Sequence, residues 1–231
     1  MRKELKILGT AARWLFMLCL PVLLLATSIG WAVNSHWLYN YGFQKYSIIQ
    51  TPALAEFDLE EIANGLISYF NSGEEDINLV VAKDGESFEL FTQEEIIHFK
   101  DVKGLIWLDY WLMLGAGIYV LAYAGICLSW QRRRHWRRLA WGIAGGTGIT
   151  LVLVLALGLG VLLGFNQLFY QFHLLFFSNE FWSAKGYMLM LFHEHFFYDT
   201  ALFCGGIIVG LAVILGGLSG IHLKRTQGQT F

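Results

Sequence analysis

Four stretches of this chain, 14–33, 104–130, 139–163 and 200–221, carry one formal charge between them, Asp109 near the start of the second. Each is 20 residues or longer, and an α-helix of roughly 20 apolar residues at about 1.5 Å rise crosses the hydrocarbon of a bilayer. Backbone in lipid must satisfy its own hydrogen bonds, so four helical spans are the expectation. The composition of the whole chain agrees, its 231 residues being 56% apolar with only two prolines and three cysteines. Disordered, collagenous, disulfide-rich and nucleic-acid-binding classes are excluded, since each needs low hydrophobicity, Gly-X-Y periodicity, many cysteines or excess basic charge.

Charge placement predicts the topology. Eleven of the sixteen Lys and Arg fall in three short segments: residues 1–13, the arginine-rich 131–138, and the tail 222–231. The other side holds five lysines and, counting Asp109, every acidic residue except Glu4, a balance of −12. Positive-inside reasoning puts both termini and the 131–138 loop in the cytoplasm. The first apolar stretch is too long for a typical signal-peptide core and is read as an uncleaved anchor. Cys19, Cys127 and Cys204 each lie in a different apolar segment, so no disulfide framework is expected. The Gly-x-x-x-Gly pairs 142/146, 160/164, 206/210 and 216/220 are read as close helix contacts within the bundle. The fold class is thus an all-α polytopic membrane protein, N-in and C-in, with a small extracytoplasmic α+β domain at 34–103 and an aromatic interfacial loop at 164–199.

Within 34–103, Asp58 followed by Glu61 opens a helix to about Phe70, with Leu59, Ile62, Leu66, Tyr69 and Phe70 as its apolar stripe. Residues 77–82 and 87–91 flank Lys83-Asp84-Gly85-Glu86, a hairpin pattern with Asp-Gly in the turn. Thr92 with Glu95 is a second helix start, and that helix is expected to continue into the second span.

On this helix Glu94, His98 and Asp101 fall at i, i+4 and i+7, hence on one face. An imidazole beside carboxylates suits a general base, though a surface histidine on a charged helix end is an ordinary alternative. The loop 164–199 adds His173, Asn179, Trp182, His193, Glu194, His195 and Asp199, at the same leaflet as His98 by the predicted topology. Two separated histidines with nearby carboxylates suggest acid/base chemistry on a substrate of the lipid phase. Metal binding is disfavoured, because His193 and His195 at i, i+2 do not share a helical face and no His-Glu-x-x-His occurs. Bis-histidine haem lacks two facing intramembrane histidines, and there is no Gly-x-Ser-x-Gly elbow.

Three blocks resemble a known family. His98-Phe99-Lys100-Asp101-Val102-Lys103 is similar to its His-Met-x-Asp-Val-Lys, and Phe172-His173 through Asn179 and Trp182 to its Phe-His-x-x-Phe-Phe-x-Asn-x-x-Trp. Phe192-His193-Glu194-His195-Phe196-Phe197 resembles Pro-Glu-x-Phe-Phe, with His193 where proline is usual. The family comprises four-span bacterial membrane proteins whose characterised members are lipoprotein intramolecular transacylases. The resemblance implies transfer of the sn-2 acyl chain of a diacylglyceryl-cysteine to that cysteine's own α-amine, at the extracytoplasmic face of the plasma membrane. It implies lipidated lipoprotein N-termini as substrate, with His98 and His173 catalytic; no cofactor or metal is expected, and composition excludes nucleic acid as a partner.

The chemistry fits those residues, since an α-amine must lose a proton to attack an ester and the departing oxygen must gain one. His98, oriented by Asp101, is expected to act as base, and His173 as acid toward the leaving oxygen. Asn179 or Lys103 would stabilise the oxyanion, with Glu94, Trp182 and Glu194 in support; the two histidines could also exchange roles. A non-enzymatic sensor or scaffold and a metal-dependent membrane hydrolase stand as alternatives.

Overall fold

The computed structural model describes residues 2–48, 54, 58–83, 86–129 and 133–227. In chain order these form α1 (Arg2–Val33), α2 (His36–Lys45), α3 (Leu59–Asn71), β1 (Val80–Lys83), β2 (Glu86–Glu89), α4 (Gln93–Ser129), α5 (Arg133–Phe176), a 3₁₀ turn (Phe181–Ser183), α6 (Tyr187–Leu191) and α7 (Glu194–Gln227). Ile7–Val33, Gln93–Ser129, His135–Phe176 and Glu194–Thr226 are each long and apolar enough to cross a membrane. Their outward faces are apolar: Leu121 is 73% exposed and Leu163 85% exposed. Side chains of that kind on so many exposed helical positions need lipid, not water, as solvent.

The chain divides into two compact units. The first contains Met1–Ile29, Asp109–Leu159 and Phe203–Phe231. Its core is built on Phe16, Leu20, Leu24, Cys127, Leu139, Val154 and Ile208. Close approach comes from glycine: a Cβ on Gly142 would stand 3.0 Å from the Phe16 ring, and one on Gly146 2.9 Å from Leu20. Pro21 has no N–H to give the carbonyl of Met17, and that oxygen lies 3.3 Å from where a Gly146 Cβ would be. Of the glycine pairs, 142/146 makes the expected close contact, whereas Gly206 and Gly210 have nothing within 4 Å of a built Cβ. Gly216 instead meets Thr147 Oγ1 at 2.9 Å.

The second unit contains Gly30–Leu108 and Gly160–Leu202. Asp58 caps α3, its Oδ1 accepting from the amides of Glu60 and Glu61. The stripe Leu59, Ile62, Leu66, Tyr69 and Phe70 is buried. The strands pair antiparallel from Val80 opposite Glu89 to Lys83 opposite Glu86; the Asp84-Gly85 turn lies outside the described residues. Helix α2, absent from the sequence reading, is capped by Ser35 and buries Leu38, Tyr39, Gly42 and Phe43. Gly42 is required there, since any Cβ would collide with the Phe196 ring.

Two boundaries differ from the sequence reading. The segment 164–199 is largely helical, because α5 runs to Phe176 and α7 starts at Glu194 rather than Thr200. Non-helical backbone at Gly164 (φ −173°, ψ 62°) interrupts α5. Beyond it, aromatic residues four apart stack along the helix, Phe165 on Phe169 at 5.4 Å and Phe172 on Phe176 at 4.8 Å. Such i, i+4 ring pairs support a helix where composition alone suggests an interfacial loop.

Candidate active site

His98 sits in the second turn of α4 and His173 near the end of α5, 7% and 6% exposed respectively. Their ring centroids are 6.1 Å apart with planes 29° from parallel. Phe177 closes both, 4.8 Å from His98 and 5.4 Å from His173. Phe169 lies 4.4 Å from His173, and Trp182 lies 4.8 Å from it. The imidazole pair is therefore walled by rings, an environment suited to an apolar substrate.

The two imidazoles are held differently. Nδ1 of His173 is 2.7 Å from the carbonyl oxygen of Phe169. A carbonyl only accepts, so Nδ1 carries the proton and, in the neutral ring, Nε2 carries the lone pair. Nδ1 of His98 is buried without a hydrogen-bond partner among the described residues.

Asp101 is on the same helix, but it does not orient His98 by a hydrogen bond. Its Oδ2 accepts from Nδ2 of Asn179 at 2.8 Å. Oδ1 of Asn179 accepts from the amide of Phe181 at 3.1 Å, which sets the 3₁₀ turn carrying Trp182. Asp101 thus reaches the site through Asn179 and Trp182, and it takes one of the two N–H groups of the Asn179 amide.

Three expected supporting residues stand elsewhere. Lys103 Nζ donates to the Glu74 carbonyl at 2.6 Å and to Ser72 Oγ at 3.3 Å, above the Tyr69 ring at 4.1 Å. Five residues from His98 is about 140° around a helix of 3.6 residues per turn, so Lys103 points to another side. Glu194 opens α7 and accepts from Asn166 at 3.3 Å. Glu94 is exposed on the first turn of α4.

The carboxylate that matters in that turn is Glu95, fully buried. Its Oε2 accepts from the Thr92 amide at 2.9 Å, while the Glu95 amide donates to Thr92 Oγ1 at 3.4 Å, a reciprocal capping box. Its Oε1 accepts from the Met188 amide at 2.7 Å. Gly186 lies against this carboxylate so closely that a Cβ would collide with it. Glu95 therefore ties the start of α6 to the turn that presents His98. The capping half was readable from Thr92 and Glu95; the Met188 half was not. Asp109 lies eleven residues beyond His98 on the same helix, and its Oδ2 is buried without a hydrogen-bond partner among the described residues. Among the described residues no group of three or more His, Cys, Asp or Glu is arranged to hold a metal ion.

Four long apolar helices carrying a buried, ring-walled histidine pair define an integral membrane protein with a candidate acid–base site. Residues 14–197 match the family "Lipoprotein intramolecular transacylase Lit", and the chain belongs to that family. No curated protein matches it. Its fold is that of the in meso structure of the membrane integral lipoprotein intramolecular transacylase Lit from Bacillus cereus, with TM-score 0.76 at 19% identity over 97% of this chain and 100% of that one. Two structures of that protein with one histidine replaced are also similar. The arginine variant gives TM-score 0.74 at 20% identity, covering 99% of each chain. The alanine variant gives 0.75 at 18% identity, covering 98% of this chain and 99% of the other.

Proposed function

We propose that this protein transfers the sn-2 acyl chain of a diacylglyceryl-modified lipoprotein cysteine to that cysteine's own α-amine. The family membership supports the substrate class, and the observation that carries the chemistry is the His98–His173 pair at 6.1 Å.

In the reaction the amine gives up a proton and attacks the sn-2 ester carbonyl, and the tetrahedral intermediate expels the glycerol oxygen, which takes a proton. An N–H and an ester become an amide and a free hydroxyl, so protons balance without an outside reagent. The Phe169-fixed tautomer of His173 leaves Nε2 as the proton acceptor, which favours His173 as the base that takes the amine proton; the imidazolium so formed returns that proton to the glycerol oxygen, directly or relayed through His98, reversing the sequence expectation. Both reacting groups belong to one substrate, so proximity comes from the lipopeptide itself and the rings need only hold its conformation.

The charge asymmetry supports an N-in, C-in arrangement, with His98 and His173 at the extracytoplasmic face of a bacterial plasma membrane. The test is mass spectrometry of a reporter lipoprotein's N-terminal peptide, in a host without other N-acylation. Wild type should give N-acyl, S-monoacylglyceryl cysteine, while His98→Ala and His173→Ala should leave diacylglyceryl cysteine with a free amine. Unmodified peptide in every sample, with the protein confirmed in the membrane, would sink the proposal and favour a sensor or scaffold.

A further inference from the structure

His193 and His195 are two residues apart, a spacing that separates them on a helix, yet the structure brings their rings together. His193 precedes α7 in non-helical backbone, and only His195 is within the helix. The ring centroids are 5.1 Å apart with planes 20° from parallel. Both side chains are exposed, and neither makes a hydrogen bond through its ring among the described residues. An imidazole nitrogen binds zinc at about 2.0–2.1 Å and the ring centre lies about 1.2 Å further out, so two imidazoles on one tetrahedral ion have centroids roughly 5 Å apart. The observed separation agrees with that value, and coordination requires the two exposed rings only to turn so that one nitrogen of each faces the ion.

The surroundings favour a cation. Glu194 lies between the two histidines in sequence. The nearby Lys45 is neutralised, its Nζ 2.7 Å from Asp199 Oδ2. The phenol of Tyr46, whose ring lies 6.4 Å from His193 and 6.2 Å from His195, donates to Asp199 and to the His195 carbonyl.

We propose that His193 and His195 form a two-imidazole site for a borderline divalent transition metal such as zinc, nickel or copper(II), with solvent completing the coordination. Two protein ligands make this an exchangeable site rather than a structural one. It is distinct from the His98–His173 pair and does not depend on the acyl-transfer reading. It does adjoin that pair: Phe197, two residues after His195, lies 5.1 Å from Phe169, whose carbonyl holds His173.

Calorimetric titration of the purified full-length protein in detergent, with zinc chloride alone, tests this. One equivalent per chain should bind, and His193→Ala or His195→Ala should each weaken it at least tenfold, whereas His36→Ala should not. In parallel, the electron paramagnetic resonance spectrum of copper(II) on the wild-type chain should show two nitrogen couplings, a readout independent of whether variants fold. Absence of saturable binding, or binding unchanged in the His193→Ala/His195→Ala double variant, overturns the proposal.

Discussion

The carbonyl oxygen of Phe169 accepts a hydrogen bond from Nδ1 of His173 at 2.7 Å, one helical turn away, and this single contact decides which nitrogen of the ring faces the chemistry. In a regular helix that carbonyl bonds an amide four residues on. Here, three residues from the helix end, the side chain of the same fourth residue also takes it, so the tautomer is fixed by backbone and survives substitution of neighbouring side chains.

Loss of either imidazole should therefore remove acid/base assistance, lowering the transfer rate by about 10² to 10⁴. Because the two act on one proton inventory, the His98→Ala/His173→Ala double variant should be little worse than the more damaged single variant. Single-turnover rates on a synthetic diacylglyceryl lipopeptide measure this; multiplicative losses would show two independent groups.

Asp101 and Asn179 should behave as a coupled pair. A hydrogen bond to a charged group contributes about 1.5–3 kcal/mol, so a double-mutant cycle with Asp101→Ala and Asn179→Ala should show coupling of about that size in stability. The rate should fall with either change, because the 3₁₀ turn holding Trp182 against His173 loses its anchor. Additive effects would mean that the bridge contributes nothing.

Glu95 and Gly186 make the sharper structural test. Gly186→Ala forces a methyl into the buried carboxylate and should break its bond to Met188, stranding a buried group at a cost of about 1–3 kcal/mol. Glu95→Gln should be destabilising too, since an amide nitrogen would face a backbone N–H on one side. Thermal unfolding in detergent and protease sensitivity around 184–188 report both; an unshifted melting temperature for Gly186→Ala would contradict the geometry.

Lys103 offers the converse case. Its ammonium holds the 72–74 turn, so Lys103→Met should lower stability while leaving the single-turnover rate of folded protein within about threefold. A rate loss of a hundredfold or more, without loss of stability, would return Lys103 to the catalytic group.

What the sequence determined by itself is whatever depends on neighbours along the chain. The four apolar stretches needed only composition and length, and the α3 start at Asp58 and the α4 start at Thr92 needed only side chains within reach of the first amides. The two strands likewise followed from alternation around a short turn. His98 and His173 were visible as chemically capable residues, and the family resemblance singled them out.

What only the tertiary structure decided is which of these residues meet. His98 and His173 lie 75 positions apart, and Asp101 and Asn179 lie 78 apart. Neither meeting is encoded in helical periodicity, because each depends on where α5 ends after its break at Gly164 and how the following turns fold back. Helical phase put Glu94, His98 and Asp101 on one face, but phase cannot say which face is buried. Packing of Gly186 and Met188 selected Glu95 instead of Glu94, and the 72–74 turn took Lys103 away from the histidines. The pairing of His193 with His195 was hidden for the same reason: a helical rule was applied to a residue that the folded chain places just outside the helix.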